Sequence, residues 1–140
     1  MNIADFMNIF EDVVLFEDKI ILKKDLAKIV GFVKQNYGFN ILKEIIAIDN
    51  EGKGVELNYH LYSTENEENL ILSIVVNNEA ESIANIFDSA IADENEIYDL
   101  FGINFIGNNN LKRLYMPEGW EGHPLRKDYE NNDEKLRWND

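Results

Sequence analysis

The 140 residues amount to 16.3 kDa, the size of a single domain, and 45% hydrophobic with 29% charged residues is a globular balance. Cysteine is absent, which excludes disulfides, thiolate zinc sites and Cys-ligated iron–sulfur clusters from this chain. Thirteen Lys and Arg against 27 Asp and Glu give a formal charge of −14, which disfavours nucleic acid and anionic lipid as direct partners; with an acidic N-terminus and no apolar run of membrane-spanning length, the sequence predicts a soluble, cytoplasmic protein.

Near the start, Ile3, Phe6, Met7 and Phe10 predict a short amphipathic helix. Val13 to Phe16 and Lys19 to Leu22 then read as a hairpin around Glu17-Asp18. From Asp25 the apolar spacing turns helical through Leu26, Ile29, Val30, Val33 and Tyr37, with Asp25 as the expected N-cap and Gly38 as the stop. Three strands are predicted next, Ile41 to Ile48, Val55 to Tyr62 and Leu70 to Val76, in an antiparallel meander joined by turn-forming stretches. In the middle one, Val55, Leu57, Tyr59 and Leu61 alternate with Glu56, Asn58, His60 and Tyr62, so one face packs on helices and the other meets water or a partner. A second helix is expected over Glu81 to Ile91, where Ile83, Ile86, Phe87 and Ile91 share a face, and a third over Glu94 to Phe101, ending at Gly102. A short strand is placed at Ile103 to Phe105. The expected class is α+β: a two-layer domain over residues 1–106 with helices on one face of a mainly antiparallel sheet.

Residues 107–140 lack regular periodicity and read as an extended C-terminal arm. From Gly102 onward the chain carries both prolines and four of its eight glycines, yet all three Arg and both Trp also fall in the last 28 positions. Disordered tails are poor in aromatic residues, whereas Trp, Tyr and Arg dominate interface hot spots, so the arm is expected to pack on another protein. The alternative at this level is an arm folded back over its own sheet.

Three stretches carry a family pattern. They are Glu94-Asn95-Glu96-Ile97-Tyr98-Asp99-Leu100-Phe101-Gly102-Ile103, Gly107-Asn108-Asn109-Asn110-Leu111-Lys112-Arg113-Leu114, and Trp120-Glu121-Gly122-His123-Pro124-Leu125-Arg126-Lys127-Asp128-Tyr129. Together they resemble the signature of the 30 kDa subunit of respiratory complex I (NADH:quinone oxidoreductase), a family that includes the equivalent subunits of energy-converting [NiFe] hydrogenases. The family usually has Arg where Asn95 stands, His-Pro-Asp where Asn108-Asn109-Asn110 stand, and Arg where Lys112 stands. The resemblance implies an accessory subunit without a cofactor of its own. It would sit on the large hydrogenase-like or quinone-site subunit beside a small iron–sulfur subunit, with iron–sulfur clusters and NiFe or quinone held by those partners. Through them it would lie on the inner face of the cell membrane.

The residues expected to touch partners are Arg113, Tyr115, Trp120, His123, Leu125, Arg126 and Tyr129, and the structural signature is Glu94, Glu96, Asp99, Phe101 and Gly102. Glu94, Glu96 and Asp99 could form a carboxylate cluster for metal or proton transfer; acids in a first helical turn favour capping and ion pairing with the Arg-bearing arm, with Glu96 and Asp99 on one face. His123, in a Gly-His-Pro turn without a second His or Cys nearby, reads as a hydrogen-bonded turn residue, and His60 as solvent-facing. No G-x-G-x-x-G turn opens a helix, Gly52-Lys53-Gly54 lacks phosphate-loop spacing, and no nucleophile stands in register with a base. A rival reading is an autonomous enzyme or small-molecule-binding domain on the same α+β scaffold.

Overall fold

Alternation in the middle of the chain sets the architecture. Val55, Leu57, Tyr59 and Leu61 are completely buried while Glu56, Asn58, His60 and Tyr62 between them are half-buried, so the strand has one core face and one open face. The computed structural model describes residues 1–108 and Leu125. Its elements are helix α1 (Ile3–Ile9), strands β1 (Val14–Phe16) and β2 (Lys19–Leu22), helix α2 (Leu26–Tyr37), strands β3 (Ile41–Asp49), β4 (Val55–Ser63), β5 (Glu68–Val76) and β6 (Glu79–Glu81), helix α3 (Ala90–Phe101) and strand β7 (Asn104–Ile106). The fold is α+β, as the sequence predicts.

Five strands form the main sheet in the order β1-β2-β5-β4-β3. The β3–β4–β5 meander is antiparallel, with a register shift between Leu42 and Glu44. The N-terminal hairpin joins it through a parallel β2–β5 pair that sets Ile20 beside Leu72 and Leu22 beside Ile74. A parallel pair requires a crossover, and α2 with β3 and β4 supplies it. The core gathers the inward residues of β2, β4 and β5 with Leu26, Ile29, Val30 and Val33 of α2 and Ile97 and Phe101 of α3.

Both helix stops read from the sequence hold. Gly38 and Gly102 are left-handed at φ 74° and 78°, and the Gly102 N–H donates to Tyr98 O at 3.0 Å. Asp25 occupies the N-cap position of α2 but is itself left-handed at φ 58°, and its side chain makes no capping bond.

The expected helix over Glu81 to Ile91 is absent, for a structural reason. Residues Glu79–Glu81 form β6 and pair in parallel with β7, and the Ser82 N–H continues that pairing by donating to Ile106 O at 2.8 Å. The backbone then runs through turns in which Phe87 N–H donates to Ile83 O and Ala90 N–H to Phe87 O, and a continuous helix starts only at Ala90. Ile83 and Phe87 still reach the core, so the apolar spacing reports burial and not helix. Helix α3 accordingly starts four residues before the expected Glu94.

Two glycines test the backbone. Gly31→Ala, inside α2, adds a Cβ 3.7 Å from Ile86 Cδ1, an ordinary contact, and should stabilise the chain by up to about 1 kcal/mol. Gly54→Ala, at φ +95°, places a Cβ 2.8 Å from Val76 O and 2.9 Å from Val75 Cγ1. It should cost about 1–3 kcal/mol. Thermal melts of the two variants beside the parent should show shifts of opposite sign.

Candidate functional site

Helix α3 carries the first family stretch, and its buried acids organise the end of the described chain. Glu94 and Asp99 are fully buried, whereas Glu96 is exposed. Glu96 and Asp99, three positions apart on α3, are neighbours along the helix, with Asp99 on its buried side and Glu96 exposed.

The Glu94 carboxylate holds two separate pieces of chain through three donors. Its Oε2 accepts the Ile83 N–H at 2.8 Å, and its Oε1 accepts the Ser82 hydroxyl at 2.7 Å and the Asn108 side-chain amide at 2.9 Å. These donors lie in the turn after β6 and just beyond β7, so one side chain closes the small parallel sheet against α3. Burial pushes the Glu94 carboxyl above its ordinary value of 4.5, the bonds from Ser82, Ile83 and Asn108 oppose that rise, and neighbouring Asp93 adds to it. Burial also lifts Asp93, whose Oδ2 accepts the Ile45 N–H at 3.1 Å and thereby occupies the outer edge of β3. Near Glu94, the buried Tyr59 hydroxyl is pushed well up by burial and then by the charges of Glu94 and Glu81. Tyr59 Oη and Asn95 Oδ1 are buried without a hydrogen-bond partner among the described residues.

Phe101 is buried and Gly102 caps the helix. At the same end, the Leu125 N–H donates to Leu100 O at 2.9 Å, satisfying one of the carbonyls that a helix C-terminus leaves open, while the Leu125 side chain is half-exposed. Arg113, Tyr115, Trp120, His123, Arg126 and Tyr129 lie outside the described residues. His60, read as solvent-facing, is half-buried and shares a 2.9 Å hydrogen bond with Asn69 Oδ1. Among the described residues no group of three His, Asp or Glu is placed to hold a metal ion, and no helix is long and apolar enough to cross a membrane.

The profile of the family described as "Respiratory-chain NADH dehydrogenase, 30 Kd subunit" matches residues 20–135, well over half of the sequence. The chain belongs to that family. The C subunit of NADH-quinone oxidoreductase from Trichlorobacter lovleyi is 37% identical over 114 residues, covering 76% of this chain and 70% of the relative. The C/D subunit of the same enzyme from Phocaeicola vulgatus is 34% identical over 109 residues, covering 75% of this chain but 21% of that longer protein. Among solved structures, a chain of the membrane-bound sulfane sulfur reductase, an archaeal respiratory membrane complex, shares the fold at a TM-score of 0.71 and 20% identity, over 91% of this chain and 83% of that one. The family match starts within β2, so α1 and β1 precede it.

The sequence points to Glu94 but not to what it binds. Ser82 and Asn108 lie 12 and 14 residues away, and no local spacing marks them as donors to one carboxylate. Glu94→Gln should cost about 1–3 kcal/mol at neutral pH, because an amide nitrogen then faces a buried donor. Between 4.5 and the raised value, the folded chain binds more proton than the unfolded one, so this group makes stability rise as pH falls through that window. Glu56, held below 4.5 first by Asn58 and then by Lys19, acts in the opposite sense and only at lower pH. Urea unfolding between neutral pH and pH 5 should show a flatter pH dependence in Glu94→Gln than in the parent.

Proposed function

We propose that this chain is an accessory subunit, without a cofactor of its own, of a multisubunit NADH:quinone oxidoreductase or a related membrane-bound hydrogenase. In this reading it docks on the large hydrogenase-like or quinone-site subunit, beside the small iron–sulfur subunit, and supports assembly. One observation carries the proposal most directly: in Phocaeicola vulgatus a relative of this chain is part of a longer protein, the C/D subunit, of which this chain matches 21%. A fusion keeps two partners at high effective concentration, which suits chains that work in contact.

The chemistry of the body supports a structural role. The buried Glu94 carboxylate is engaged by three neutral donors from the same chain, and Asp93 is engaged by the backbone of β3. Partner contact is assigned to residues 107–140 through Arg113, Tyr115, Trp120, His123, Leu125, Arg126 and Tyr129, with Trp and the Arg residues as anchors. Electrons pass between clusters in the neighbouring subunits, and the membrane is reached only through them.

Co-expression with the large subunit tests this reading. Alanine at Trp120, Arg113 or Arg126 should each weaken recovery of the complex by about thirtyfold in affinity, equivalent to about 2 kcal/mol. Circular dichroism and the melting temperature of the free chain should stay near those of the parent. Loss of folding in the free variants, with the complex intact whenever the chain folds, would move these residues into the domain and remove the interface assignment.

A further inference from the structure

The two edges of the main sheet are treated differently. At β3, the Ile45 N–H is taken by Asp93 and Leu42 O lies 3.5 Å from the Ser89 hydroxyl, so side chains of α3 and its N-cap occupy the backbone groups that a new strand would need. At β1, which ends the sheet on the other side, no side chain among the described residues bonds to the edge. In a two-residue hairpin the closing pair, here Phe16 and Lys19, carries the ladder bonds, which turns the N–H and C=O of Leu15 outward.

The side chains of β1 are equally uncommitted. Val14, Leu15 and Phe16 are 49%, 48% and 53% exposed, so successive residues on both faces of the strand leave apolar surface in water. Proteins usually blunt such an edge with charge, a bulge or a cover. Here charge appears only at the ends, as exposed Glu11 and Asp12 before the strand and exposed Glu17 and Asp18 after it. Their neutralisation within the chain is slight: Asp12 meets Lys24 at 3.5 Å with both side chains more than half exposed.

The geometry points to β1 as a docking edge for an extended apolar segment of a partner protein that carries Lys or Arg at both ends. Backbone pairing with Leu15 supplies the binding energy, contacts with Val14 and Phe16 on one face and Leu15 on the other select apolar side chains, and the four flanking carboxylates select cationic ends. The same carboxylates disfavour a second copy of this chain. Antiparallel self-pairing centred on Leu15 would set Asp12 opposite Asp18 twice, and like charges directly opposite one another destabilise a strand pair. Because β1 precedes the residues that match the family, this edge is separate from the signature and does not depend on the proposed assembly role.

The test uses the full chain and two dye-labelled peptides with the same centre, Val-Thr-Val-Tyr-Val, ending in two Lys or in two Glu on each side. Fluorescence anisotropy should show the Lys-ended peptide binding at least about tenfold more tightly, with the advantage shrinking as salt rises. Leu15→Pro removes the outward N–H and should abolish that binding, at an unchanged melting temperature. A Glu17→Lys, Asp18→Lys double variant keeps the edge and should erase the preference, so the conclusion does not rest on the proline variant folding. Equal affinity for the two peptides, or binding of neither, overturns the proposal. So does a concentration-dependent dimer in sedimentation that Leu15→Pro dissolves, because the occupant would then be a second copy.

Discussion

After β5, the fully buried Glu94 carboxylate ties the turn behind β6 and the residue beyond β7 to helix α3. Removing a charge from water costs several kcal/mol even after relaxation, and Glu94 is fully buried. Three donors offset that cost, and they come from two separate stretches: a hydroxyl and a backbone N–H from the turn after β6, and an amide from the residue after Gly107. Charge-assisted bonds of this kind are about twice as strong as neutral ones. Neither segment has much structure to offer alone, since β6 and β7 are three residues each. Glu94 makes them a unit with α3.

That arrangement gives α3 two tasks. Through Glu94, Ile97 and Phe101 it closes the core, and through Asp93 and its N-cap Ser89 it shields the β3 edge. At its last turn the Leu100 carbonyl accepts the Leu125 N–H. The side chains of this helix are mostly committed inside the chain, with Glu94, Asn95, Ile97, Asp99 and Phe101 all buried.

Charge follows the same division. Residues 1–108 hold seven Lys and no Arg against 20 acids, whereas residues 109–140 hold six basic and seven acidic groups. The strongly acidic body therefore repels anionic surfaces and other copies of itself, while residues 109–140 are close to neutral. The open side of the sheet fits this balance, with Lys19 and Asn58 both bound to Glu56 at its centre and exposed Ile46, Ile48 and Val75 around it.

By itself, the sequence determined what short-range physics controls. The alternation of β4, the apolar stripe of α2 and the glycine stops at Gly38 and Gly102 are local properties of backbone and side chain, and the pattern from Glu94 to Tyr129 was enough to place the family. Tertiary structure decided what depends on a distant partner. Residues Glu79–Glu81 became a strand because β7 was there to pair with, which left the periodic stretch behind them in turns. The hairpin at Lys19 joined the sheet in parallel because β5 offered an edge after the α2 crossover, and that placement exposed β1. Glu94 read as a helix-capping acid because sequence shows its neighbours; only the folded chain brings Ser82 and Asn108 to it, since hydrogen-bond partners are chosen by proximity in space and carry no mark in local spacing.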